Sequence, residues 1–190
     1  MKMRNFADSM DSRNFKTDID RLQALVQLRA FARQDGALLG LLWAASFACM
    51  VWIPTSGLST WLMLATPFFV GWRLMKFRNY ALNGVVSLKR GFAYCSYTFF
   101  YASLIFAIMQ FVYFKYLDNG NFFNIINNAL QVVLPIYRAN GINTQQLINA
   151  LGLMRQLTSM EMVFLFMMQN IIIGLFLSLP VAAICKRRIK

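Results

Sequence analysis

The sequence predicts an all-α integral membrane protein: a bundle of four transmembrane helices, with an amphipathic N-terminal helix and two short amphipathic helices between spans 3 and 4. Three observations carry this. First, 58% of the 190 residues are hydrophobic and only 14% are charged, where a soluble domain carries roughly 25% charge. Second, the apolar residues gather in four long runs that are apolar on every side. Such a run can satisfy its backbone in lipid only as a helix, whereas a barrel strand would alternate apolar and polar residues. Third, the cations stand at the edges of those runs, as cations do beside membrane spans.

The elements follow in order. Residues 1–16 are polar and of mixed charge, which predicts a loose terminus. Acidic residues (Asp8, Asp11, Asp18, Asp20) precede the first long apolar run, so this is not a secretory signal peptide. Over residues 17–33, Ile19, Leu22, Leu25 and Val26 fall on one side and Asp20, Arg21, Gln23 and Gln27 largely on the other. That pattern predicts an amphipathic helix on the cytoplasmic membrane surface or packed on the protein. Residues 1–35 therefore form one predicted segment, and residues 36–190 the transmembrane domain.

The predicted spans are residues 36–53, 58–74, 92–114 and 162–184. At 1.5 Å per residue each approaches the roughly 30 Å of a hydrocarbon core. Pro54, Ser56 and Gly57 make a short turn between the first two, and Pro67 interrupts the second. Between the third and fourth, residues 115–161 hold two helical patterns. Phe122, Ile125, Ile126, Ala129 and Val133 form the first apolar set, which Pro135 is expected to stop; Leu147, Ile148, Leu151, Met154 and Leu157 form the second, starting at Thr144. Both are too short and too polar to span, and are expected to lie on the outer surface of the membrane or to cap the bundle.

Charge predicts the orientation. With four spans, sixteen of the nineteen Lys and Arg fall on one side; Lys115, Arg138 and Arg155 fall on the other. The positive-inside rule then puts both termini in the cytoplasm and 115–161 outside, in a bacterial inner membrane. Attraction to anionic lipid accounts for a net charge of +12 without nucleic acid, because the cations hug the membrane edges. Trp52 and Trp61 beside the outer turn, and Trp72 by the inner edge, suit the headgroup level.

Little here points to chemistry. There is no histidine, and Cys49, Cys95 and Cys185 are scattered without a CxxC, so neither a disulfide framework nor a zinc site is expected. No phosphate loop, HExxH or GxSxG occurs, and no catalytic residue, cofactor or metal is predicted. Glu161 lies beside the fourth span, but Thr158-Ser159-Met160-Glu161 matches a capping box. Gly36, Gly40, Ala44 and Ala48 recur every four residues on the first span, which marks a candidate helix interface with this chain or with a second protein. Gln110, Gln169 and Asn170 are candidate intramembrane polar contacts, either as interhelical glue or as a polar path.

The layout resembles a domain-of-unknown-function family of small four-span bacterial membrane proteins. The likeness lies in Val86-Ser87-Leu88-Lys89-Arg90-Gly91-Phe92 entering the third span and Tyr113-Phe114-Lys115-Tyr116-Leu117-Asp118 leaving it. It continues in Gly174-Leu175-Phe176-Leu177-Ser178-Leu179-Pro180 before the basic tail. The resemblance implies four spans and a bacterial membrane, with a membrane glycosyltransferase as a companion. The expected role is a non-enzymatic partner or scaffold subunit. A small transporter or flippase-like subunit is the alternative, and a lipid-modifying enzyme ranks last.

Overall fold

The computed structural model describes residues 2–141 and 143–187. The side chains of residues 2–18, 20 and 21 lie outside that description, as do the tail cations Arg188 and Lys190; the backbone of residues 2–16, expected as a loose terminus, is helical. Every regular element among the described residues is helical: α1 (Lys2–Trp52), α2 (Leu58–Leu64), α3 (Thr66–Ala81), α4 (Leu88–Tyr116), α5 (Asn121–Ala139), α6 (Gln145–Met154) and α7 (Ser159–Cys185). Three helices contain stretches long and apolar enough to cross a membrane: Leu22–Trp52, Leu88–Tyr116 and Ser159–Cys185.

Helix α4 is central, packing on α1 along one flank and on α7 along the other. It runs parallel to α1: Gly36 meets Thr98 and Tyr101, and Gly40 meets Ala102 and Ile105. It runs antiparallel to α7, since Gly91 meets Ala182 and Gly174 meets Phe99. The core follows these seams. A larger cluster joins Leu28, Ala32, Leu39 and Trp43 of α1 to Leu74, Phe77, Tyr94, Phe99 and Val181. A second cluster, toward the Trp52 end, gathers Val51, Tyr113, Phe122 and Met162 around Phe47 and Phe166.

Three further expectations need correction. The amphipathic segment 17–33 is not a separate surface helix. It continues without a break into the first span, because no Gly, Asn or Pro between Thr17 and Asp35 ends the helix. The second expected span is not one helix either. Pro67 has no N–H to offer Met63, so the chain breaks at Ala65 into α2 and α3. The downstream part then runs on to Ala81, which puts Arg73 in mid-helix rather than at an end. Finally, α5 does not stop at Pro135 but continues to Ala139. Near a helix end the lost hydrogen bond is tolerated, and Asn140 and Gly141 then close the helix.

Two turns set the hairpins. Gly57 adopts φ 64° where the turn after α1 enters α2. Asn83 and Gly84, at φ 49° and 81°, turn the chain from α3 toward α4; such values favour Gly and Asn. After that turn, Val86 and Arg187 exchange backbone hydrogen bonds of 3.1 and 3.2 Å, which ties the loop to the end of α7.

Candidate functional site

The core stripe of α1 reads Leu28, Ala32, Asp35, Leu39, Trp43, all buried. One member is a carboxylic acid. Asp35 is only 1% exposed, and a buried carboxylate is tolerable only when paired and hydrogen-bonded. Two other helices supply the partners. Arg73 of α3 donates from Nε to Asp35 Oδ1 at 2.6 Å, and its Nη2 donates to the same oxygen. Tyr94 of α4 donates its phenol to the other oxygen, Oδ2. The Tyr94 ring stacks on Phe77 of α3, with centroids 4.7 Å apart and planes 9° apart, and Phe77 in turn leans on Phe31 of α1 at 5.2 Å. One polar knot therefore ties α1, α3 and α4 together.

The knot is nearly sealed. Arg73 keeps 17% of its side chain exposed and Asp35 only 2%. Both carboxylate oxygens are occupied by donors, so the site is a satisfied ion pair with an added phenol. Among the described residues no cluster of three or more His, Cys, Asp or Glu could hold a metal ion.

Two turns further along, Trp43 Nε1 donates to the buried hydroxyl of Thr66 at 3.0 Å, and Ser46 donates to the Ser59 carbonyl at 2.9 Å. These bonds fasten α1 to the α2–α3 break and to the start of α2. At the far end of α4, Asp118 accepts from the Tyr113 phenol and from the Phe122 backbone N–H, both at 2.8 Å, and so caps α5. Thr158 and Glu161 form the expected capping box at the start of α7.

The small-residue stripe lies against α4. A Cβ on Gly36 would sit 2.7 Å from the Tyr101 Cβ, and one on Gly40 would sit 3.1 Å from the Ala102 carbonyl oxygen. Ala44 and Ala48 line a shallow groove of about 120 Å³ with Met109 and Val112 of α4. The three amides are not brought together. Gln110 is buried with its Oε1 unpartnered, Gln169 is exposed and Asn170 half-buried. No hydrogen bond among the described residues joins them. The three cysteines are all free.

Asp35 is the residue that sequence reasoning missed. Its signal was its place, since it immediately precedes the first apolar run and shares the helical face of Leu28, Ala32 and Leu39. Glu161, the acid beside the fourth span, is the exposed cap.

Comparison with known proteins gives a family without an assigned activity. No curated protein and no solved structure matches the chain. The family described as "Protein of unknown function (DUF4199)" matches residues 34–187, from just before Asp35 to the Arg187 bridge. Those residues take in the Asp35 knot and most of the packed bundle, and the chain belongs to that family.

Proposed function

We propose that the chain is a four-crossing protein of the bacterial inner membrane, with both termini in the cytoplasm and residues 115–161 outside. It acts there as a non-enzymatic partner or scaffold subunit. The fourth crossing is the broken helix α2–α3, which runs antiparallel to α1: Ser59 lies by Ser46, Thr66 by Trp43 and Arg73 by Asp35. This orientation gathers the cations at the cytoplasmic face, where they attract anionic lipid.

The observation that carries the partner role is the free stretch of α1. The helix begins to pack on the bundle at Leu28, which is 2% exposed, yet just before it Leu22 and Val26 are 62% and 67% exposed. In this orientation both lie on the cytoplasmic side of Arg29 and Arg33, at the start of the stretch Leu22–Trp52, whose 31 residues are more than the roughly 30 Å hydrocarbon core needs. Apolar side chains displayed together on a rigid helix in water are fitted to a partner. The transporter alternative has only the unpartnered Oε1 of Gln110 in its favour, because Gln169 is exposed on α7 and bonds to neither other amide.

Capture from membranes in mild detergent tests the role, with a membrane glycosyltransferase as the first candidate to probe. The native chain should retain a partner that the Leu22→Glu, Val26→Glu variant loses while its bundle stays folded. A chain that purifies alone in both forms would refute the reading.

A further inference from the structure

We propose that the cytoplasmic end of the α1–α4 seam binds the phosphate of an anionic phospholipid through Arg29, Arg33 and Arg90, beside the ring of Tyr97. This rests on the reading above that this end meets the inner leaflet. Arg29 is not a loose surface cation. Its guanidinium stands 5.2 Å from the centroid of the Tyr97 ring, and its Nη2 donates to the Tyr97 phenol at 3.1 Å. The ring and the phenol hold one edge of the guanidinium and leave the remaining N–H donors for a ligand. Arg33 follows one turn later on the same face of α1 and is exposed.

Helix register brings in the third cation. Gly36 lies by Thr98 and Gly40 by Ala102, the same offset at both crossings, so Arg90 stands level with Leu28 and Arg29. It also precedes Tyr97 by two turns, which puts both on one face of α4. The start of α4 adds the positive end of its dipole, with Ser87 capping the Arg90 N–H. The nearest core carboxylate does not neutralise this group, because Asp35 is taken by Arg73 and Tyr94. Among the described residues the one ion pair is Arg73–Asp35.

Arginine forks match phosphate oxygens in pairs, and the cytoplasmic leaflet supplies anionic phospholipid. A tyrosine ring suits the headgroup level. Diffuse attraction would treat every inner cation alike, whereas a built site makes these three unequal to the tail pair Lys186 and Arg187.

The test uses the full chain in neutral detergent, titrated with phosphatidylglycerol and with phosphatidylcholine of the same acyl chains. Bound lipid is counted by native mass spectrometry. The native chain should prefer phosphatidylglycerol. Arg29→Gln, Arg33→Gln and Arg90→Gln should each weaken that preference about fivefold, while Lys186→Gln with Arg187→Gln leaves it unchanged. Tyr97→Phe, which keeps the ring and removes the hydroxyl, should weaken it less, and it serves if the arginine variants do not fold. No preference in the native chain, or equal losses in the tail variant, would overturn the site. Displacement of the lipid by millimolar inorganic phosphate would reassign it to a soluble phosphate and overturn the lipid source. The detergent readout is independent of orientation, so an inverted topology would remove the leaflet reading while a preserved preference kept the site.

Discussion

At the scale of single residues, the energetics of Asp35 are set by what happens when it loses a partner. A buried ion pair gains little over apolar residues of the same volume, but half of one is costly, because the remaining charge has no water to return to. Asp35→Ala strands Arg73, which has only 17% of its side chain exposed, and should cost about 3 kcal/mol or more. Replacing both residues with leucine should recover much of that loss, and Tyr94→Phe alone should cost less, about 1.5–3 kcal/mol for a hydrogen bond to a charged group. Thermal unfolding in detergent reads all three; a double variant no better than Asp35→Ala would show that the knot does not act as a pair. The sequence marks the position of Asp35 on the core face but not its neutralisation. Arg73 is 38 residues away on another helix, and no spacing rule links the two. Arg73 itself reads as a flanking cation, because the hydropathy of the second run falls away beside it.

At the scale of elements, close packing depends on a few positions without a side chain. A Cβ on Gly174 would come 2.6 Å from the Phe99 Cβ, deep in the α4–α7 seam. Gly174→Val must therefore push the helices apart and should destabilise by about 1–3 kcal/mol, as overpacked cores do. Gly152, inside α6, meets nothing within 4 Å, and Gly152→Ala should be neutral or stabilise by up to about 1 kcal/mol through helix propensity. Unfolding temperatures of the two variants, measured side by side, check the contrast. Hydropathy makes the long apolar helices legible because length and uniform apolarity are local properties. The limits of the elements are less legible. Charges in residues 17–33 suggest a helix lying flat on a membrane, yet nothing in that stretch stops the helix from continuing into the span. Pro67 shows where the second run is interrupted, but the extension of α3 to Ala81 depends on contacts with the end of α7, such as Arg78 Nη1 donating to the Cys185 carbonyl at 3.0 Å.

At the scale of the whole molecule, the proposed four-crossing topology rests on a parity argument. Helices α1 and α4 lie parallel in contact, with Gly36 by Thr98 and Gly40 by Ala102. Two parallel neighbours in one membrane require the chain between them to cross back once. Residues 58–81 are the segment available for it: at 1.5 Å per residue they rise about 36 Å, enough for a hydrocarbon core of roughly 30 Å. Their hydropathy is weakened by Arg73, Lys76 and Arg78, and Arg73 is neutralised by Asp35 inside the bundle. The residue-scale knot therefore supports the molecular-scale crossing, because without Asp35 that segment carries an unpaired cation into the core. Reporter fusions check this. A phosphatase reporter, active only outside, should be active when joined after Asn140 and silent after Gly84, and a fluorescent reporter active only in the cytoplasm should give the reverse. The Asp35→Ala chain should keep this pattern but with a larger share of molecules in which α2–α3 fails to insert, read as phosphatase activity after Gly84. If phosphatase activity after Gly84 equals that after Asn140 in the native chain, α2–α3 does not cross and the parallel packing of α1 and α4 has no membrane arrangement that explains it.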